Sequence, residues 1–281
     1  MGELSLSFVL ISLPSPPSPI VFEVGPFALR YYGLFIALGI AAATWLTARE
    51  LARKGYDSAM ALDSLFFVVP LGFIGARAYH VVTDYELYAN DPIPRIFEVW
   101  NGGLGIYGAV AGGFLGVLLF SRFRGISPLI FADAAAPGLV LAQAIGRWGN
   151  YFNQELFGRP SDLPWAIRIA PQNRPPQFAN VESFQPTFLY ESIWDLLVCF
   201  ALLWIARRFA TRLRDGDVML LYVCLYSFGR FFVETLRVDP AFLIGGTFRG
   251  NLLVSSVLAL GCAMTLLLRH SRPSHKRSGS G

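Results

Sequence analysis

Seven stretches of about twenty mainly apolar residues, near 27–48, 60–83, 103–121, 129–147, 188–208, 217–236 and 250–268, leave this chain few ways to fold. A helix of that length crosses the hydrocarbon core of a bilayer, where only helices and closed barrels satisfy their own backbone groups. None of the stretches alternates apolar and polar residues as a barrel strand would. With 54% of its 281 residues hydrophobic and only 15% charged, the chain is expected to be an all-α, polytopic membrane protein with about seven transmembrane helices.

The arginines set the expected orientation, because positively charged connections stay in the cytoplasm. One set of connections holds Arg49, Arg53 and Lys54, then Arg122 and Arg124, then Arg207, Arg208, Arg212 and Arg214, and finally Arg269, Arg272, Lys276 and Arg277. The other set is sparser, with Arg30, Arg95, Arg237 and Arg249. This places the N-terminus outside and the C-terminus in the cytoplasm. The connection between spans four and five, about 148–187, breaks the bias with Arg159, Arg168 and Arg174, and its length suggests a small external cap. Residues 1–268 are expected to form one integral membrane domain, and 269–281 a basic, disordered cytoplasmic tail. The leading segment has no basic region and is broken by prolines, so it reads as an external or interfacial lead-in rather than a cleaved signal.

Charged groups within spans are costly, so each one needs a reason. On the expected topology they gather at one depth, in the outer half: Arg30 and Tyr32 on span one, Arg77 on span two and Tyr107 on span three. Arg147 and Asn150 lie there on span four, Gln185, Tyr190 and Glu191 at the start of span five, and a regular series on span six. In that series Tyr226, Arg230 and Glu234 are four residues apart and Arg237 follows, which puts them near one helical stripe. If span four continues a turn beyond Arg147, then Arg147 and Asn150 face the same way, and Gly146 and Gly149 allow close approach to the backbone. An arginine fork that keeps its charge suits an anion with phosphate geometry. The residues alone thus imply an arginine-lined cavity for an anionic lipid headgroup, without naming a reaction. Gly108, Gly112 and Gly116 on span three read as a helix-packing run, and Asp63 and Asp133 as groups at helix starts.

Cys199, Cys224 and Cys262 fall inside spans without metal or redox spacing, and His80, His270 and His275 form no cluster. No cofactor, metal or nucleic-acid motif is present. An anion transporter would need polar groups in both membrane halves, and a phosphatase or acyltransferase would need a nucleophile with its base; the sequence offers neither pattern.

The stretch "GRWGNYFNQELFGRP" resembles the signature of bacterial prolipoprotein diacylglyceryl transferases, G-R-x-G-N-F-x-N-x-E-x-x-G. Arg147, Gly149, Asn150, Asn153, Glu155 and Gly158 match it, with Tyr151 in place of the Phe. Further likenesses run along the whole chain: Tyr32–Gly33, Gly75 to Arg77, Trp100 to Gly103, Gln185 to Glu191, and the series from Tyr226 to Arg237. Two histidines common in the family are replaced, by Tyr107 and Gln185.

The resemblance implies transfer of the diacylglyceryl group of phosphatidylglycerol to the lipobox cysteine of prolipoprotein signal peptides, in the bacterial inner membrane, with no cofactor. Arg147 and Arg230 are then expected to clamp the phosphate, and Glu155 and Glu234 to orient the arginines. Asn150 and Asn153 would bind headgroup oxygens, and Tyr32, Tyr107 or Tyr226 would bond headgroup or thiol. Tyr107 and Glu155 are the candidate proton acceptors. Arg77, Gly108, Gly158, Tyr190, Glu234 and Arg237 complete the expected substrate-binding set.

Overall fold

Helical hydrogen bonding accounts for most of the backbone in the computed structural model of the chain, which describes residues 13–25, 27–89, 96–99, 102–238, 243–244 and 248–271. Among the described residues, seven helices are long and apolar enough to cross a membrane: α1 (Tyr31–Arg53), α2 (Ala59–Thr83), α3 (Ile106–Arg124), α4 (Pro128–Asn153), α5 (Thr187–Arg208), α6 (Asp217–Leu236) and α7 (Gly250–Ser271). Their outer faces carry large apolar side chains such as Phe66, Phe114 and Leu260, each more than 60% exposed. A protein in water would bury such a surface, and lipid covers it instead.

Among the described residues, three short antiparallel ribbons lie outside the helices: β1 (Ile20–Val24) with β2 (Phe27–Arg30) before α1, β3 (Ile167–Arg168) with β4 (Ser183–Phe184) between α4 and α5, and β5 (Leu243–Ile244) with β6 (Phe248–Arg249) between α6 and α7. The apolar run near 27–48 therefore begins as strand, and Arg30 pairs with Ile20 instead of lying on the first helix. Apolarity alone does not separate a strand from the first turn of a helix. At the other end α7 runs through Ser271, so the expected tail loses its first three residues to helix. The remainder of that tail, Trp100 and the first twelve residues of the lead-in lie outside the described residues.

Contacts divide the chain into two units. One comprises Thr44–Gly138 and Arg214–Met219. Its core gathers Leu51, Ala61, Phe120, Ile126, Phe131 and Ala134 from four helices and a turn. Here α2 and α3 approach closely: a Cβ on Gly116 would stand 2.7 Å from Val68 Cα, and Gly108 and Gly112 meet the backbone of Gly75 and Leu71 in the same way. Small residues four apart permit this approach. Asp63 pairs with Arg124 at 3.0 Å. Asp133 does not serve its own helix start; it accepts the backbone N–H groups of Gly216 and Met219 at 2.8 and 2.9 Å and caps α6.

The other unit comprises Met1–Ala43, Leu139–Leu213 and Leu220–Gly281. Within it, the connection from α4 to α5 folds into a cap with its own apolar centre, where Phe157, Ile167, Ile169, Phe184 and Phe188 are buried. Leu13 bridges to Ile167, and Ser15 donates to the Arg168 carbonyl at 2.6 Å, which ties the leading segment to this cap.

Candidate functional site

The signature stretch begins on the last two turns of α4 and ends in a reversal of the chain. Gln154 and Leu156 both adopt left-handed backbone angles, φ 51° and 57°, which non-glycine residues adopt at a cost of about 1–2 kcal/mol. Neighbouring groups hold them there. Gln154 accepts from the Ala170 N–H at 2.7 Å and donates to the Pro16 carbonyl at 3.4 Å, while the Thr187 hydroxyl donates to the Leu156 carbonyl. Backbone strain of this kind persists only where its surroundings over-determine it, and it concentrates at functional sites.

The reversal turns Glu155 back toward the helix. Its Oε1 accepts from Asn150 Nδ2 at 2.9 Å and from Asn153 Nδ2 at 3.2 Å. Glu155 therefore holds the two asparagines of the signature; it does not pair with the arginines, contrary to expectation. The arginines are held by Glu191, one turn into α5. Arg147 Nε and Arg230 Nη1 bind its two carboxylate oxygens, one each. Arg147 also donates to the Tyr226 hydroxyl at 3.4 Å, and Arg230 to Glu234 at 2.8 Å. Arg147 Nη1 and Arg230 Nε are left without a hydrogen bond among the described residues.

Glu234 is the second centre of this network and is 1% exposed. Besides Arg230 it meets Arg237 at 4.0 Å, Arg249 at 3.4 Å and Asn251 Nδ2 at 3.3 Å. One turn beyond Glu191 lies Asp195, 2% exposed, with Oδ2 unpaired and within electrostatic reach of Arg147 and Arg230. Among the described residues, Arg147 and Arg230 are thus bound by Glu191 and Glu234 in a largely buried place, with one donor of each arginine not engaged. A partly buried arginine donor without a partner is costly until an acceptor arrives, so the arrangement suits an anion that these two donors can reach.

Glycines resolve differently from the sequence-based expectation. At Gly149 the space is filled by Tyr32, whose ring would stand 2.7 Å from an added Cβ. Gly146 faces open space. Gly158 sits where three backbones meet: its N–H donates to the Gln185 carbonyl at 2.8 Å, it bridges to Arg237, and an added Cβ would be 2.9 Å from Gln185 Cβ. Tyr190 accepts from Trp165 Nε1 at 2.9 Å and so faces the cap.

Of the expected residues, Tyr32, Arg147, Asn150, Asn153, Glu155, Gly158, Tyr190, Tyr226, Arg230, Glu234 and Arg237 belong to the unit with the cap, while Arg77, Tyr107 and Gly108 belong to the other. There Arg77 Nε donates to the Ile96 carbonyl at 2.8 Å and Nη1 to those of Gly102 and Gly103 at 2.8 and 3.0 Å. Tyr107 packs its ring against Tyr79 and is half exposed. Sequence reading undervalued Glu191, Asp195, Arg249 and Asn251. The four-residue spacing of Glu191 and Asp195 was an available signal, but nothing local indicates which arginine a glutamate on another helix will meet.

A family model described as prolipoprotein diacylglyceryl transferase matches residues 19–268. Curated relatives bear the name phosphatidylglycerol–prolipoprotein diacylglyceryl transferase. The one from Frankia alni is 47% identical over 262 residues, covering 92% of this chain and 68% of that protein. The Frankia casuarinae relative is 46% identical over 94% of this chain and 63% of its own length. For Paenarthrobacter aurescens the figures are 45%, 93% and 84%. The chain thus spans about two thirds of the length of the Frankia relatives and more of the third.

Proposed function

The chain belongs to the prolipoprotein diacylglyceryl transferase family, and we infer that it transfers the diacylglyceryl group of phosphatidylglycerol to a prolipoprotein, the first step of lipoprotein maturation. The observation that carries the mechanism is the sharing of the Glu191 carboxylate by Arg147 on α4 and Arg230 on α6, with one donor of each arginine left open.

In this reading the thiol of the lipobox cysteine gives up its proton, which ends on the released glycerol phosphate or in water, and the sulfur attacks the glyceryl carbon bonded to the phosphate oxygen. A C–S bond forms, the C–O bond breaks, and glycerol phosphate leaves. The phosphate passes from one negative charge in the diester toward two in the product. Guanidinium groups already fixed at that point stabilise the transition state more than the bound lipid. Arg147 and Arg230 act as the phosphate clamp. Glu191 fixes their spacing, Glu234 and Arg237 support Arg230, and Glu155 presents Asn150 and Asn153 to headgroup oxygens. Tyr32 and Tyr226 supply hydroxyls beside the clamp. The same cations lower the thiol pKa as it approaches, which favours the thiolate.

The protein works as a multi-pass enzyme of the bacterial inner membrane. Residues 1–271 form the transferase domain with the clamp toward the outer leaflet, and the end of the chain beyond Ser271 is cytoplasmic; the arginine distribution supports this orientation. Purified protein incubated in detergent with phosphatidylglycerol and a lipobox peptide is expected to add one diacylglyceryl unit to the cysteine, read by mass spectrometry, and none to a Cys→Ala peptide. Folded, lipid-bound protein that yields no adduct would reject the reading.

A further inference from the structure

A cavity of about 530 Å³ lies between the α4 reversal and the proline-rich segment of the cap. Its size falls within the range of small-ligand pockets, about 300–1,000 Å³. One wall is Asn153, Glu155 and Leu156, and the other includes Gln172, Asn173 and Gln177. Side-chain amides both donate and accept, as the N–H and C=O groups of an extended peptide do. The backbone N–H groups of Leu156 and Phe157, also on the wall, make no hydrogen bond among the described residues. Arg174 spends Nε on the Ile169 carbonyl at 2.8 Å and Nη1 on that of Ala179 at 3.2 Å, so most of its fork is turned to the cap backbone. With Glu155 offsetting the Arg174 charge and amides making up most of the polar lining, the cavity is better matched to a neutral polar chain than to a lipid phosphate.

The walls are also stiff. Pro171 and Pro176 each open a 3-10 turn, and Arg174 ties that segment to the cap. A preformed groove loses little freedom when it binds. Its location supplies the occupant. Glu155 lines the cavity and accepts from Asn150, which lies three residues from Arg147, so a chain leaving the cavity past Glu155 arrives beside the arginine clamp. In a prolipoprotein the apolar part of the signal peptide precedes the acceptor cysteine and belongs in lipid, whereas the residues after it must lie where polar groups are met.

Resting on the transferase reading, we propose that this cavity binds the first few polar residues that follow the acceptor cysteine of the prolipoprotein, held in an extended conformation by backbone and amide hydrogen bonds. It would thereby set where the thiol stands relative to the clamp.

Two lipobox peptides test this, one ending at the cysteine and one continuing for five polar residues, each assayed with phosphatidylglycerol by mass spectrometry. For the wild type the longer peptide is expected to have a KM about tenfold lower. The double variant Gln172→Ala/Gln177→Ala should lose most of that advantage, with kcat and the KM of the short peptide unchanged; the short peptide thus reports whether the variant is folded. A benzophenone placed three residues after the cysteine of the long peptide should label residues 172–177 of the wild type. Equal KM values for the two peptides in the wild type, an equal rise for both in the variant, or labelling confined to other segments would overturn the groove while leaving the transferase intact. Absence of transfer to either peptide by the wild type would overturn both.

Discussion

Arg77 and Arg147 look alike in the sequence, each an arginine six residues before the end of a long apolar helix, at 83 and 153. Their surroundings are opposite in kind. Arg77 donates to three backbone carbonyls and lies beside the Tyr88 ring, so its donors hold the chain that enters α3. Arg147 shares a carboxylate with Arg230 and keeps a donor open. Carbonyl partners neutralise an arginine's hydrogen-bonding needs without answering its charge, and they use up its fork. A carboxylate shared between two arginines leaves positive charge over and donors to deliver it. The first arrangement builds a loop; the second is suited to a ligand.

Substitutions can break this distinction. The largest effect is expected from Arg147→Gln or Arg230→Gln. Each should lower kcat/KM for peptide transfer by about 10²–10³, as loss of a preorganised charge at a developing anion does. The fold should survive because Glu191 keeps its other arginine, and a melting curve checks this. Activity near the wild-type level in either variant would remove the clamp. Next comes Glu191→Gln, which preserves shape but loosens both guanidinium groups. A fall of about 10-fold to 100-fold in kcat/KM is expected, with lipid binding altered less than turnover.

Arg77→Leu should act on the other side of the comparison. It strips donors from three part-buried carbonyls, at about 0.5–1.5 kcal/mol for each hydrogen bond lost. The melting temperature should fall by several degrees, at about 2–4 °C per kcal/mol, while turnover per folded molecule stays within about threefold. Lost turnover at an unchanged melting temperature would make Arg77 a second binding arginine and erase the contrast. The smallest effect is expected at Tyr151, the position where the signature has Phe. Its hydroxyl donates to the Pro14 carbonyl at 2.9 Å near the surface, so Tyr151→Phe should cost about 1 kcal/mol or less and change activity by less than about twofold.

Much was legible before any fold was known. Seven apolar runs determine seven helices, since no other open structure satisfies a backbone in hydrocarbon, and the observed bounds differ from the expected ones by a few residues at most ends. The stripe from Tyr226 to Arg237 was readable because helical periodicity is local. Arg30 marks where this local reading failed: β1 and β2 pair through contacts between segments that are each merely apolar, and no period within either announces the partner.

The sequence by itself determined that the chain lives in a membrane, that it carries a family signature, and that arginines recur where charge is expensive. These follow from residue type and spacing, which act over one or two helical turns. Only the tertiary structure decided that Glu155 serves asparagines and Glu191 serves arginines, that Tyr32 fills the space at Gly149, and that Arg77 holds carbonyls. A charged side chain reaches only a few ångströms, so its partner is set by which helices pack side by side, and packing depends on the whole chain at once.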